Sequence, residues 1–84
     1  MATLLKKRDE LKVTTNVHGI PLTVTRNGKA EFVTRVYQHW RVFEQLSGYG
    51  ILKEYFRVKL GKSIVCDICR DFMSNTWYLD KIYD

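Results

Sequence analysis

The chain predicts an all-β fold, an antiparallel up-and-down meander of about six strands curled into a small, partly open barrel of SH3-like or OB-like character. Three observations carry this. Residues 55–60 (Tyr-Phe-Arg-Val-Lys-Leu) and 64–68 alternate apolar and polar side chains, the period of a strand with one buried face. Pairs suited to tight turns, Asn27-Gly28, Gly61-Lys62 and Ser74-Asn75, punctuate the chain. β-Branched and aromatic residues are dense between those turns, and the 84 residues include a single proline.

Taken in order, residues 1–9 are polar enough to fray, and residues 10–84 form one small β domain. Residues 11–15 make a first strand, because Lys12, Val13, Thr14 and Thr15 favour extended backbone, and 16–19 supply turn chemistry. A second strand over 22–25 runs into Asn27-Gly28, the pair best suited to the positive φ angles of a type I′ hairpin. Residues 30–46 read two ways. Phe32, Val36, Trp40 and Val42 give a strand face, whereas Val33, Val36, Tyr37, Trp40 and Phe43 fall at helical spacing with Gly48 as a C-cap, a short helix over 33–47. The strand is favoured by the β-branched and aromatic content and the hairpin just upstream. A strand of that length calls for a bend or bulge near residues 37–40. Ser47-Gly48-Tyr49-Gly50 reads as a loop, and 54–83 as a three-stranded meander with Trp77 buried. The expected core is Val13, Leu22, Val24, Phe32, Val36, Trp40, Phe56, Val58, Ile64, Cys66, Ile68, Trp77 and Leu79.

Composition narrows the function classes. Residues 1–62 carry 12 Lys or Arg against 5 Asp or Glu, net +7, and residues 63–84 carry 2 against 4, net −2. A basic surface in the first three quarters favours polyanionic partners, whose phosphates release counterions on binding. No apolar run approaches a bilayer span, and the order of apolar and charged residues at 1–10 is not that of a secretory signal, so the expected location is cytoplasmic. Two cysteines are too few for a disulfide framework.

No constellation points to an enzyme, and no motif points to a cofactor. Cys66-Asp67-Ile68-Cys69 is a C-x-x-C, but on a strand residues three apart face opposite ways, so a buried Cys66 and a half-exposed Cys69 are expected in place of a zinc or redox pair. The pairs Asp67/Asp71 and Asp80/Asp84 read as solvated turn carboxylates more readily than as magnesium ligands. Glycine-rich phosphate loops and nucleophile elbows are missing from the sequence.

What stands out is one face of the central strands. In an extended 30–43, Arg35, Tyr37, His39 and Arg41 project together, opposite Phe32, Val36 and Trp40. Tyr55, Arg57 and Lys59 project opposite Phe56, Val58 and Leu60. With Arg26 and Lys29 these residues form a candidate single-stranded nucleic-acid site, rings for bases to stack on and cations for phosphates. A solvated outer face is the competing explanation.

The succession Asn27-Gly28-Lys29, Arg35-Val36 with Trp40-Arg41, Tyr55-Phe56-Arg57-Val58, Cys69-Arg70-Asp71, Trp77-Tyr78-Leu79 and Tyr83-Asp84 resembles a small bacterial all-β domain of unknown function. That domain occurs at the end of, or encoded beside, Y-family DNA polymerase-like repair proteins. The resemblance covers roughly residues 20–84 and implies an accessory role in DNA repair with a repair-protein partner. The alternative is a protein-interaction or homodimerisation module that docks through a strand edge or an apolar patch around Tyr49, Ile51 and Tyr83.

Overall fold

The computed structural model describes residues 9–46 and 49–83, and these form six strands and no helix. In chain order they are β1 (Asp9–Thr15), β2 (Pro21–Arg26), β3 (Lys29–Leu46), β4 (Tyr49–Leu60), β5 (Ile64–Asp71) and β6 (Thr76–Tyr83). Each pairs antiparallel with the next, and β1 pairs with β6 through Asp9↔Leu79 and Leu11↔Trp77, so the meander closes into a barrel. Closure is fuller than the partly open barrel expected from the sequence. The helical alternative for residues 33–47 is excluded over 33–46, where the whole segment is strand.

The turns follow their chemistry. Asn27 (φ 52°) and Gly28 (φ 80°) both occupy the left-handed region, as a two-residue type I′ hairpin requires. The loop between β1 and β2 is held by Asn16, whose Oδ1 accepts from the backbone N–H of His18 at 2.8 Å and of Ile20 at 3.0 Å. At the β5–β6 turn Asn75 takes φ 56°, and its N–H donates to the Asp71 carbonyl at 2.7 Å.

β3 runs for 18 residues. At roughly 3.3 Å per residue a straight strand of that length would span about 60 Å, well beyond the 41 Å greatest extent of the molecule. It is therefore bent, and the β3–β4 register slips twice, between Val33 and Arg35 and again between Val36 and Gln38. Thr34 and Tyr37 are the extra residues. The bend expected near 37–40 thus consists of two bulges displaced toward the start of the strand. Tyr49 and Gly50, expected in a loop, belong to β4; Ser47 and Gly48 lie outside the described residues.

The core consists of Leu11, Val24, Phe56, Val58, Leu60, Cys66, Ile68 and Trp77, with Val13, Ile20, Val33 and Leu79 packed against it. Phe56, Val58 and Ile68 are wholly buried. Seven expected core residues are not fully buried, Val13 and Leu79 being half-buried against the core. Leu22, Phe32, Val36 and Ile64 are exposed, and Trp40 is half-buried. Phe32 precedes the first bulge on the outward phase, at 73% exposure, and Trp40 follows two phase reversals that return it to that same side. Cys69, expected half-exposed, is buried; its cross-strand neighbours Tyr55 and Tyr78 flank it.

The barrel has two unlike ends. One is filled: Phe56 and Trp77 approach with ring centroids 5.8 Å apart, and the Arg70 guanidinium lies over Trp77 at 5.7 Å. The other, walled by residues such as Val24, Leu60 and Cys66, opens into a cavity of about 430 Å³.

Candidate nucleic-acid interface

Register fixes which side chains share a face, because directly opposed residues in an antiparallel ladder point the same way. On β4 the even residues Glu54, Phe56, Val58 and Leu60 are buried, while Tyr55, Arg57 and Lys59 point outward. Their partners on β3 are Trp40, Gln38 and Arg35 respectively, and on β5 they are Cys69, Asp67 and Val65. The outer face therefore carries Arg35, Gln38 and Trp40 beside Tyr55, Arg57 and Lys59.

The Trp40 and Tyr55 rings are stacked, centroids 5.3 Å apart and planes within 5° of parallel. Arg57 stands next to them with its Cζ 5.5 Å from the Trp40 centroid and 4.7 Å from that of Tyr83. Its donors are distributed among three partners. Nε donates to Asp67 Oδ1 at 2.9 Å and Nη2 to Oδ2 at 3.2 Å, Nη1 donates to Gln38 Oε1 at 2.8 Å, and Nη2 also donates to the Tyr83 hydroxyl at 2.6 Å. That hydroxyl in turn donates to Asp67 Oδ2 at 2.6 Å.

Asp67 is 3% exposed and almost encircled by donors. Burial pushes its carboxyl up, but the hydrogen bonds from Arg57 and Tyr83, with the positive charges of Arg57 and Lys81, outweigh burial and hold it below the usual carboxylate range. The same contact with Asp67 raises the Tyr83 phenol and the Arg57 guanidinium. Arg57 is thus a positioning residue whose charge is already matched. Arg35 and Lys59, opposite one another at the next rung, pair with no described carboxylate, and Arg35 lies over the Tyr37 ring at 5.0 Å.

The nine residues expected to form one site are divided by the structure. Arg35, Tyr55, Arg57 and Lys59 do share a face, and Tyr37 sits at the second bulge beside Arg35. His39 and Arg41 go to the opposite face, because the second bulge reverses the phase between Val36 and His39. There His39 lies parallel to Phe56, centroids 4.3 Å apart, and Glu54 Oε2 is 2.5 Å from its Nε2 and 3.4 Å from Arg41 Nε. Arg26 and Lys29 sit far from the others on the β2–β3 hairpin, Arg26 bound to Asp9 at 2.6 Å. In return the face gains Trp40, Asp67 and Tyr83, expected in the core, in a solvated turn and in another patch respectively, and Gln38, which no sequence signal singles out.

The patch expected around Tyr49, Ile51 and Tyr83 is not contiguous. The Tyr83 hydroxyl is anchored at Arg57, six residues along β4 from Ile51 and so roughly 20 Å away. The Tyr49 side chain lies outside the described residues. Cys66 and Cys69 are not disulfide-bonded and lie on opposite faces of β5, Cys66 toward the core and Cys69 outward. Burial, with Asp67 next to it, pushes the Cys66 thiol up to about 11. No protein family, curated protein or solved structure matches this chain.

Proposed function

We propose that the protein is a non-enzymatic module that contacts single-stranded nucleic acid through the outer face of β3 and β4, as an accessory to DNA repair. The observation that carries this is the Trp40–Tyr55 stack bordered by Arg35 and Lys59. A planar aromatic platform offers every base a π face, and flanking cations track the phosphates, which gives affinity without sequence readout. Arg57 serves that platform indirectly. Held by Asp67, Gln38 and Tyr83, it lies over the Trp40 ring and helps fix the indole. The repair context follows from the resemblance described above, and a repair protein is the partner it suggests. Low-salt titration of a labelled oligothymidylate by fluorescence anisotropy tests the reading. Binding in the micromolar range that weakens steeply with salt is expected. Trp40→Ala and Tyr55→Ala should each cost about 1–3 kcal/mol of binding, and Arg35→Glu with Lys59→Glu should remove most of it. No binding at low salt, or equal binding by these variants, overturns the proposal.

A second reading rests on the edge of β3. β2 pairs with it only over Lys29–Phe32, so among the described residues 33–46 are paired on one side alone, with β4. An open edge is a template for another strand, and homodimerisation through it would follow protein concentration and barely respond to salt. Sedimentation at low and high salt separates the two.

A further inference from the structure

Between the Trp40–Tyr55 stack and the Arg35–Lys59 rung stands the pair Gln38↔Arg57. The Gln38 amide is oriented by that neighbour. A guanidinium offers only N–H groups, so the amide atom that faces it is the oxygen, and Arg57 Nη1 donates to Gln38 Oε1 at 2.8 Å. Arg57 is itself fixed, because its Nε and Nη2 donate to the two oxygens of Asp67, which is 3% exposed. The NH2 group of Gln38 is thereby turned away from Arg57 on an exposed side chain, and it meets no acceptor among the described residues.

The acceptors at this rung are engaged or covered. Gln38 Oε1 faces Arg57, Asp67 is buried, and the Tyr83 hydroxyl accepts from Arg57 and gives its proton to Asp67. What the rung offers to a ligand is N–H alone. Gln38 lies two residues from Trp40 along β3, roughly 7 Å, and the Arg57 Cζ is 5.5 Å from the indole centroid, so these donors border the platform on which a base would stack. Base edges differ in what they turn toward a donor. Uracil, thymine and guanine carry a keto oxygen where cytosine and adenine carry an amino group, and an amino group set against a donor leaves both without a partner. Bidentate reading of adenine by a glutamine needs the amide oxygen, which Arg57 occupies here. On the reading of the outer face as a single-stranded nucleic-acid site, we infer that Gln38 is its specificity-determining residue and favours keto bases over amino bases. It adds a modest base preference to stacking that is otherwise indifferent to sequence.

Low-salt anisotropy titrations of the full chain with labelled oligonucleotides of equal length test this, oligodeoxyuridylate against oligodeoxycytidylate and oligodeoxyinosinate against oligodeoxyadenylate. The members of each pair share ring size and charge and differ at the keto or amino edge. The keto member should bind about fivefold more tightly, the size of one net hydrogen bond. Gln38→Met keeps the length of the side chain and has no N–H, so it should bring both ratios to about one by weakening the keto members alone. Gln38→Glu still accepts from Arg57 but presents oxygen in place of the amide N–H, and it should carry both ratios below one, whatever its charge does to overall affinity. Gln38 is exposed, so both variants should fold, and a far-UV circular dichroism spectrum like the parent's verifies that they do. Equal binding of the two members of each pair by the parent protein, or a preference that Gln38→Met preserves, overturns the inference and leaves the stacking platform standing. Failure of all four oligonucleotides to bind overturns the platform together with the preference.

Discussion

The strands β4–β6 and the strands β1–β3 build opposite sides of one barrel but bury side chains very differently. Of the ten buried apolar residues among those described, seven come from β4–β6, and only Leu11, Pro21 and Val24 come from β1–β3. β3, the longest strand, contributes none among its described side chains. The cause is pairing: β5 is flanked along nearly its whole length by β4 and β6, so four consecutive residues, Cys66 to Cys69, are buried on both faces. β3 pairs with β2 over its first four residues and with β4 from Val33 onward, so along its described length it is paired on one side at a time. Burial in a small barrel thus depends on how many edges of a strand are occupied, as well as on which way a side chain points.

The largest test of that contrast is truncation of one phenylalanine in each half. Phe56 is wholly buried, and Phe56→Ala should cost about 3–5 kcal/mol, enough to threaten folding of a domain this size. Phe32→Ala should change stability by no more than about 0.5 kcal/mol, since that ring is 73% exposed. Urea denaturation of the two variants gives the comparison directly. Equal losses would break it.

Next in size are two changes within β5, one on each of its faces. Asp67→Asn should cost about 2 kcal/mol, the order of a hydrogen bond to a charged group, because it removes the charge and puts an amide donor in place of one of the two oxygens that accept from Arg57 and Tyr83. The pH dependence has a definite sign. The Asp67 carboxyl is depressed in the folded state, so its stabilisation is present above the unfolded value near 4 and is lost as pH falls through the folded one. Asp67→Asn should flatten the acid limb of a melting-temperature profile. Cys66 acts at the other limb. Its thiol is raised from 9.0 to about 11, so the stabilisation it contributes is complete below the unfolded value and fades as pH climbs toward 11. Cys66→Ala should remove that part of the alkaline decline and leave the acid limb alone.

The same contrast explains what could be read from the residues in advance. The meander of β4–β6 was legible because uninterrupted alternation and tight turns determine a register. With Gly61-Lys62 at the turn, Leu60↔Ile64 places Arg57 opposite Asp67, so the ion pair at the centre of the outer face could have been found by counting. β3 was not legible in this way. Thr34 and Tyr37 carry no mark that distinguishes a bulged residue from a paired one, and each bulge exchanges the two faces. Assuming one unbroken phase put Trp40 inside and His39 and Arg41 outside, which is the reverse of their placement. Arg57→Glu illustrates the consequence. Taken as a surface contact it would be harmless to folding, but opposite the buried Asp67 it should lower the melting temperature, so it is unsuited to testing nucleic-acid binding.

The smallest expected effect lies where β3 and β4 leave the barrel as a two-stranded ribbon, beyond the reach of β5, whose pairing with β4 stops at Lys53↔Asp71. There Phe43 lies across Gly50. A Cβ added at Gly50 would come within 2.5 Å of the Phe43 Cζ and 2.8 Å of its Cε1, so Gly50→Ala cannot be accommodated without moving the ring. Phe43 is 64% exposed and free to swing outward. The cost should therefore be no more than about 1 kcal/mol, the loss of a ring packed over a strand glycine. In a Phe43→Ala background the obstacle is gone, and Gly50→Ala should become neutral or slightly stabilising, because alanine restricts the unfolded chain more than glycine. A double-mutant cycle on these two positions isolates their coupling. A cost for Gly50→Ala that persists without the Phe43 ring would mean that the ribbon is constrained by its backbone, and β3 would then be held more firmly beyond the barrel than its single row of paired neighbours implies.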